Sequence, residues 1–411
     1  MRVNKLILLT LVFCLVVSGQ VLAKTEVTFW HAMSRALGET VDELVAEFNA
    51  QNPHIHVEAI YQGSYGDLNT KLVASITAQN SPVLAQVYEN WTDAFIRNDV
   101  LVPLEDYLHL TDEEYNDYIE VFRNMNIWED KLYTVPFNKS NWVLFYNTDL
   151  IPNPPKTVDE FLTLSKKISD EGQGDVFGFG IRPTVELFHA FMYLNGGDFF
   201  DEDLNITFTG QEGVDALNLM INMVDDKSAL LIDGYESDAF GDGIIAMYIG
   251  SSAGASFVEA AAEGKVNWSM APIPAGIRPG APFMGTNIAL FATATEEQRE
   301  AAAEFVKFLT NTENTVTWAI RTGYLPVTYS GLESDAWNAF LADNPRVAEG
   351  PGNVEAFGYG YWQPRVAAWE GARSSIGTAV EAALLKYATP EEALAQAALE
   401  IEEEIALMLM Q

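Results

Sequence analysis

The chain has 411 residues, 48% of them hydrophobic and 12% aromatic, a composition that describes packed globular domains and excludes a disordered chain. Its 58 acidic residues outnumber 23 basic ones, for a formal net charge of −35. That balance excludes nucleic-acid binding and electrostatic docking on anionic lipid.

Met1 to Ala23 reads as a cleaved secretory signal, which predicts a periplasmic protein. Arg2 and Lys5 give a positive start, Leu6 to Val17 is mostly apolar, and Val21-Leu22-Ala23 offers a small-residue cleavage site. The only cysteine, Cys14, lies inside that segment, so the mature chain is expected to carry no disulfide and a net charge of −37. No later run approaches the roughly 18 to 20 apolar residues of a membrane span.

Three apolar runs follow: Val27 to Phe29, His54 to Ile60, and Val83 to Val87. Each reads as a strand, with a helix predicted over Thr40 to Ala50 (capping box Thr40/Glu43) and another over Leu68 to Ala78. Alternating strands and helices predict an α/β fold with a parallel sheet, whose ligands bind beyond the carboxyl ends of the strands. Trp30-His31, Tyr65 and Glu89 all sit just past those strand ends. An indole, a phenol and a carboxylate suit a polyol: a flat face for C–H groups, and hydrogen-bonding groups for hydroxyls.

Further along, Leu132 to Phe137 and Trp142 to Tyr146 read as two strands separated by Asn138-Lys139-Ser140-Asn141. Helices are predicted after Thr157 and over Val214 to Val224, and strands over Gly243 to Ile249, Trp268 to Ile273 and Asn287 to Phe291. Thr389-Pro390 opens the last helix. The expected organisation is a hinged clamp of two lobes with several chain crossings: residues 24–136 and 286–326 in the first α/β lobe, residues 137–285 and 327–411 in the second with the C-terminal helices.

Gly250-Ser251-Ser252-Ala253-Gly254 matches the nucleophile elbow of α/β-hydrolases, which would make the chain a secreted hydrolase. None of the five histidines, His31, His54, His56, His109 and His189, follows that serine, as the triad order requires. The turn is better suited to offering hydroxyls and backbone N–H groups to a ligand. His54 and His56 share one face of a strand without further ligands at metal-site spacing. No catalytic set, metal site or cofactor motif is expected.

Phe29-Trp30-His31-Ala32-Met33, Tyr61-Gln62-Gly63-Ser64-Tyr65, Gln86-Val87-Tyr88-Glu89, Pro136-Phe137-Asn138 and Thr322-Gly323-Tyr324-Leu325-Pro326 resemble the periplasmic sn-glycerol-3-phosphate-binding proteins of ABC importers. These belong to the wider family of extracellular solute-binding proteins that includes the maltose binders. The resemblance implies a non-enzymatic, monomeric receptor that closes on a small solute and hands it to permease subunits. It implies a site made of Tyr65, Glu89, Ser140, Ser251, a backbone contact near Gly285, and Tyr324, with Trp30 and Trp142 as further aromatic candidates. The family holds its phosphate with an arginine a few residues before a late proline. Here Tyr359 stands at that place before Pro364, and Arg365 follows the proline as the substitute. Tyr359, Tyr361 and Trp362 would instead suit a sugar, so a glycerol phosphate (or its diester) and a neutral sugar both remain open as ligands.

Overall fold

The computed structural model describes residues 24–409, so the predicted signal segment with Cys14 lies outside the described residues. The elements that position the cleft are β1 (Thr25–His31), α1 (Ala36–Gln51), β2 (Ile55–Tyr61), α2 (Tyr65–Thr77), β3 (Leu84–Val87), α3 (Glu89–Arg97), β4 (Thr134–Asn147), α4 (Val158–Gly172), β5 (Met247–Ser251), β6 (Trp268–Ala271), β7 (Ala281–Phe291), α5 (Glu296–Thr310), α6 (Trp369–Leu384) and α7 (Pro390–Leu409). One sheet runs β5-β4-β7-β3-β1-β2, with β6 also paired to β4. The predicted parallel core is present: β1 lies parallel to both β2 and β3.

Two elements differ from expectation for identifiable reasons. Thr40 does not cap α1; the helix begins a turn earlier and the Thr40 hydroxyl donates to the Ala36 carbonyl at 2.9 Å. The two strands expected around Asn138–Asn141 are a single 14-residue strand, β4. Its polar middle reads as a turn in sequence, but its amides and carbonyls are taken by β7, from Phe283↔Asn141 to Ala289↔Thr134. The buried side chains of Asn138, Lys139 and Ser140 find partners on other segments, in Gln86, Glu89 and Ser251, so no loop is needed to solvate them.

β4 and β7 are the strands that join the lobes. The first half of β4 pairs with β7; its second half lies between β5 and β6. Each lobe has its own core. In the first, Phe29, Phe48 and Phe305 pack edge to face, with Trp318 stacked on Phe137 at 4.7 Å between ring centroids. In the second, Phe145, Phe179, Phe188, Phe199 and Trp369 are buried together. Full burial of such a side chain stabilises by about 1.5–3 kcal/mol, which makes each lobe a rigid body. The chain after Tyr324 does not pass directly to the second lobe. Val327 packs with Ile119, Phe122 and Phe283, and Trp337 packs on Val316 and Ala319 of the first lobe.

Candidate ligand-binding site

β3 ends at Val87, and α3 starts at Glu89, so Glu89 stands at the carboxyl end of a central strand and at a helix N-terminus. Glu89 is nearly buried, and its Oε1 accepts two hydrogen bonds: from Lys139 Nζ at 2.8 Å and from Asn287 Nδ2 at 2.9 Å. Both fall on one oxygen, and no protein donor among the described residues is bonded to Oε2. The carboxylate is therefore fixed in place with one acceptor oxygen to spare.

Lys139, on β4, is the residue that the sequence reading passed over. It is fully buried, donates also to the Gly285 carbonyl at 3.2 Å, and lies 4.6 Å from the centroid of the Trp362 ring. Burial pushes its ammonium below the usual lysine range, against the pull of Glu89. Gly285 has φ +118°, and a Cβ there would sit 1.9 Å from the Asn138 carbonyl oxygen, so only glycine allows β7 to lie this close to β4.

Tyr65 opens α2 behind a capping box of Ser64 and Asp67, which aims the phenol at the lobe junction. Its hydroxyl accepts from Asn138 Nδ2 at 2.9 Å, its ring meets Tyr88 edge to face at 5.1 Å, and the Tyr324 phenol stands beside it. Burial, reinforced by Tyr324 and Tyr88, pushes the Tyr65 phenol well above its ordinary value, so it stays protonated and able to donate. Asn138 is held in turn by Gln86 Nε2 at 3.1 Å and by the Thr286 hydroxyl. Gln86, on β3, is fully buried and its Oε1 accepts from the Ala32 amide at 2.8 Å.

On the second lobe, Ser140 and Ser251 hydroxyls meet at 3.0 Å, and Ser251 Oγ also accepts from the Ala253 amide at 3.3 Å. The Gly-Ser-Ser-Ala-Gly turn thus uses one serine as a cap, while the Ser252 hydroxyl is buried and without a partner among the described residues. Trp142 lies on the same wall with its indole N–H buried and unpartnered.

Of these residues, Glu89 and Gly285 line a small inner compartment of about 40 Å³ together with Tyr88, Trp362 and Gln363, whereas Tyr65, Ser140 and Tyr324 line neither this space nor the outer one beside it. An outer compartment of about 370 Å³ opens beside it, with Trp142, Arg182, Tyr235, Ser251, Phe257 and Arg373 in its walls. Met284 borders both. Arg373 donates through Nε to Glu186 at 3.0 Å, and Arg182 lies 3.4 Å from Glu236. Both guanidinium groups are therefore fixed by carboxylates. The inner space has room for water and none for a solute. A larger cavity of about 470 Å³ lies elsewhere, between Val158, Phe191, Leu219 and Ile277 of the second lobe, away from every residue named for the site.

Trp30, Tyr359, Tyr361 and Arg365 fall differently from expectation. Trp30 packs beside the Leu68, Leu72 and Trp91 cluster and is not among the residues lining either compartment. Tyr359, half-buried, lines neither; Tyr361 instead stacks on Tyr193 at 3.6 Å, and Trp362 is the aromatic that reaches the inner compartment. Arg365 donates through Nη1 to the carbonyls of Ile127 at 2.7 Å and Asn124 at 3.3 Å and lies over Trp128. It directly follows Pro364 of the inner wall, and burial lowers its proton affinity against the opposing pull of Asp93 and Glu89. The lobes also touch beside the site: Asn90 Nδ2 and Trp91 Nε1 donate to Glu370 at 3.1 and 3.3 Å, and the Ala367 amide donates to Asp93.

The chain has known relatives in sequence and in fold. The sn-glycerol-3-phosphate-binding periplasmic protein UgpB of Salmonella typhimurium is 28% identical over 361 residues, 82% of each chain. The Mycobacterium tuberculosis UgpB structure with glycerophosphocholine superposes with a TM-score of 0.83 at 22% identity, over 94% of this chain and 100% of that one. The GacH receptor of Streptomyces glaucescens, solved with acarbose, gives 0.80 at 23% identity over 93% and 98%. The fold is that of the two-lobed periplasmic binding proteins. Because the model of bacterial extracellular solute-binding proteins matches residues 43–347, most of the chain, this protein belongs to that family.

Proposed function

We propose that this protein is the periplasmic receptor of an ABC importer, a non-enzymatic monomer that captures a phosphoglycerol (sn-glycerol 3-phosphate or its diester) between its lobes and delivers it to a membrane permease. The observation that carries the reading is the gathering of Tyr65, Glu89, Ser140, Gly285 and Tyr324 around Asn138 and Lys139, where β4 and β7 cross between lobes. Glu89 Oε2 accepts from glycerol hydroxyls. Tyr65, Tyr324, Ser140 and Ser251 donate, and the backbone near Gly285 and the Trp142 face complete the contacts. A solute held by Glu89 on one lobe and Ser251 on the other binds the closed form better than the open one, and that difference drives closure.

Similarity to the sn-glycerol-3-phosphate binders supports a phosphorylated ligand. So does Arg365, whose guanidinium is oriented by two carbonyls rather than neutralised by a carboxylate. A neutral sugar is the second reading, favoured by the aromatic outer wall and its carboxylate-paired arginines. Calorimetric titration of wild type and Arg365→Ala with sn-glycerol 3-phosphate, glycerophosphocholine and maltose decides between them. The expected result is binding of a phosphoglycerol that weakens at least about tenfold in the variant, the loss of one charge-assisted contact. Binding of maltose alone, unaffected by the substitution, carries the second reading. Binding of none of the three refutes the proposed ligand class.

A further inference from the structure

We infer that Lys139 is the positioning residue of the inner compartment and decides which end of a ligand enters it: it sets Glu89, the Gly285 carbonyl and the Trp362 ring in one arrangement and cancels the Glu89 charge, so the compartment takes an uncharged, hydroxyl-bearing end and leaves any phosphate outside. The inference rests on the ligand site proposed above.

An ammonium has three N–H donors, and here each has a separate destination: a carboxylate oxygen at 2.8 Å, a carbonyl oxygen at 3.2 Å, and an aromatic face at 4.6 Å. Those three partners come from α3, from β7, and from the segment before Pro364, and all three line the inner compartment. The lysine backbone is tied to β7 as well, as the register partner of Gly285, and its carbonyl accepts from the Leu325 amide at 2.8 Å. Nothing is left on the ammonium for a ligand, so its effect passes through the groups it holds.

Charge leads to the same conclusion. An unpaired carboxylate at Glu89 would repel a phosphate, and an unpaired lysine would attract one; a bonded pair does neither, yet still leaves Oε2 as a hydroxyl acceptor. The other charged and titratable groups around the pair are the Tyr88 phenol and the Arg365 guanidinium, neither of which changes charge near neutral pH.

The test uses the full mature protein, Lys139→Met, and Lys139→Met with Glu89→Gln. Each is titrated with sn-glycerol 3-phosphate, glycerophosphocholine and maltose at pH 5.5 and pH 8, and compared with wild type at the same pH. A carboxylate that loses its cationic partner in an enclosed space is protonated more readily. The single variant should therefore bind the wild-type ligand at least tenfold more weakly at pH 8 and regain at least threefold at pH 5.5. The double variant should show no such recovery. Single-variant binding within twofold of wild type, or an equal loss at both pH values, overturns the inference. If wild type binds none of the probes, the ligand reading fails separately, and unliganded melting then decides Lys139. A deficit of Lys139→Met that is larger at pH 8 than at pH 5.5, and removed by Glu89→Gln, supports the pair; a deficit equal at both pH values overturns it.

Discussion

Removing the Glu89 side chain should disturb two properties at once, and their sizes can be worked from its bonds. Glu89→Ala deletes the acceptor proposed for ligand hydroxyls, at about 1.5–3 kcal/mol for a bond to a charged group. That corresponds to a roughly 10- to 150-fold loss of affinity. The same substitution strips Lys139, fully buried, of its only carboxylate. Breaking a buried pair from one side costs about 3–5 kcal/mol. At about 2 °C per kcal/mol for a protein of this size, the unliganded protein should melt roughly 6–10 °C lower at pH 7. The lysine has an escape, which is to lose its proton. In the variant its folded-state pKa falls further below its unfolded value, so between those values the unfolded chain binds more protons than the folded one, and stability rises with pH. The melting deficit should accordingly shrink between pH 7 and pH 9.5. Calorimetric titration and differential scanning at these pH values check both effects. An unchanged affinity removes Glu89 from the site. An unchanged melting temperature, or a deficit that does not vary with pH, refutes the buried pair.

Two further outcomes follow from the same geometry. His31 is buried with its Nδ1 accepting from the Met33 amide, and burial lowers its pKa to about 4. Because the unfolded chain protonates near pH 6.5 and the folded one does not until near pH 4, wild type should lose about 2 kcal/mol from this group between pH 7.5 and pH 5. His31→Asn should show that much less acid sensitivity in denaturant titrations, and an unchanged slope refutes the assignment. Glu370→Ala removes the acceptor shared by Asn90 and Trp91 across the cleft. Weakening the closed form by about 1 kcal/mol should reduce affinity roughly fivefold and give a more extended particle in small-angle scattering at subsaturating ligand; identical curves and affinity would show that this contact does not bias closure.

The parallel core was legible because its signals are local. β1, β2 and β3 are dense apolar runs, and the buried face of α1, Val41, Leu44, Val45 and Phe48, repeats at helical spacing. The positions of Tyr65 and Glu89 at strand ends followed from the general rule for such sheets. What failed was the reading of polar residues in the middle of β4. Asn138 to Asn141 read as a break between two strands, and Lys139 within it draws no separate reading, because an ammonium is rarely fully buried unless paired. The partners that make burial tolerable lie 50 and 146 residues away, at Glu89 and Gly285. No periodicity signals a contact of that kind. A weaker signal did exist: Lys139 is flanked by the apolar runs Leu132 to Phe137 and Val143 to Tyr146, a short gap for a loop between two strands of different lobes.

The acidity of the whole chain and the chemistry of its cleft act over different ranges. A formal net charge of −35 opposes the approach of an anion at low ionic strength, but at about 0.15 M salt, charges more than roughly 8 Å apart hardly interact through solvent. Inside the cleft the relevant charges are few and ordered. Lys139 with Glu89, Arg373 with Glu186 and Arg182 with Glu236 are paired, whereas Arg365 is held by carbonyls. Arg365, which lies just past Pro364 and lines neither compartment, therefore offers an anionic group a guanidinium with no ion-pair partner among the described residues. That asymmetry orients a molecule with one charged and one hydroxylated end, while it gives a fully neutral sugar no preferred direction. Salt dependence separates the two cases. Affinity for a phosphoglycerol should first rise as salt screens the surface charge and then fall as it screens Arg365, whereas affinity for a neutral sugar should stay flat throughout.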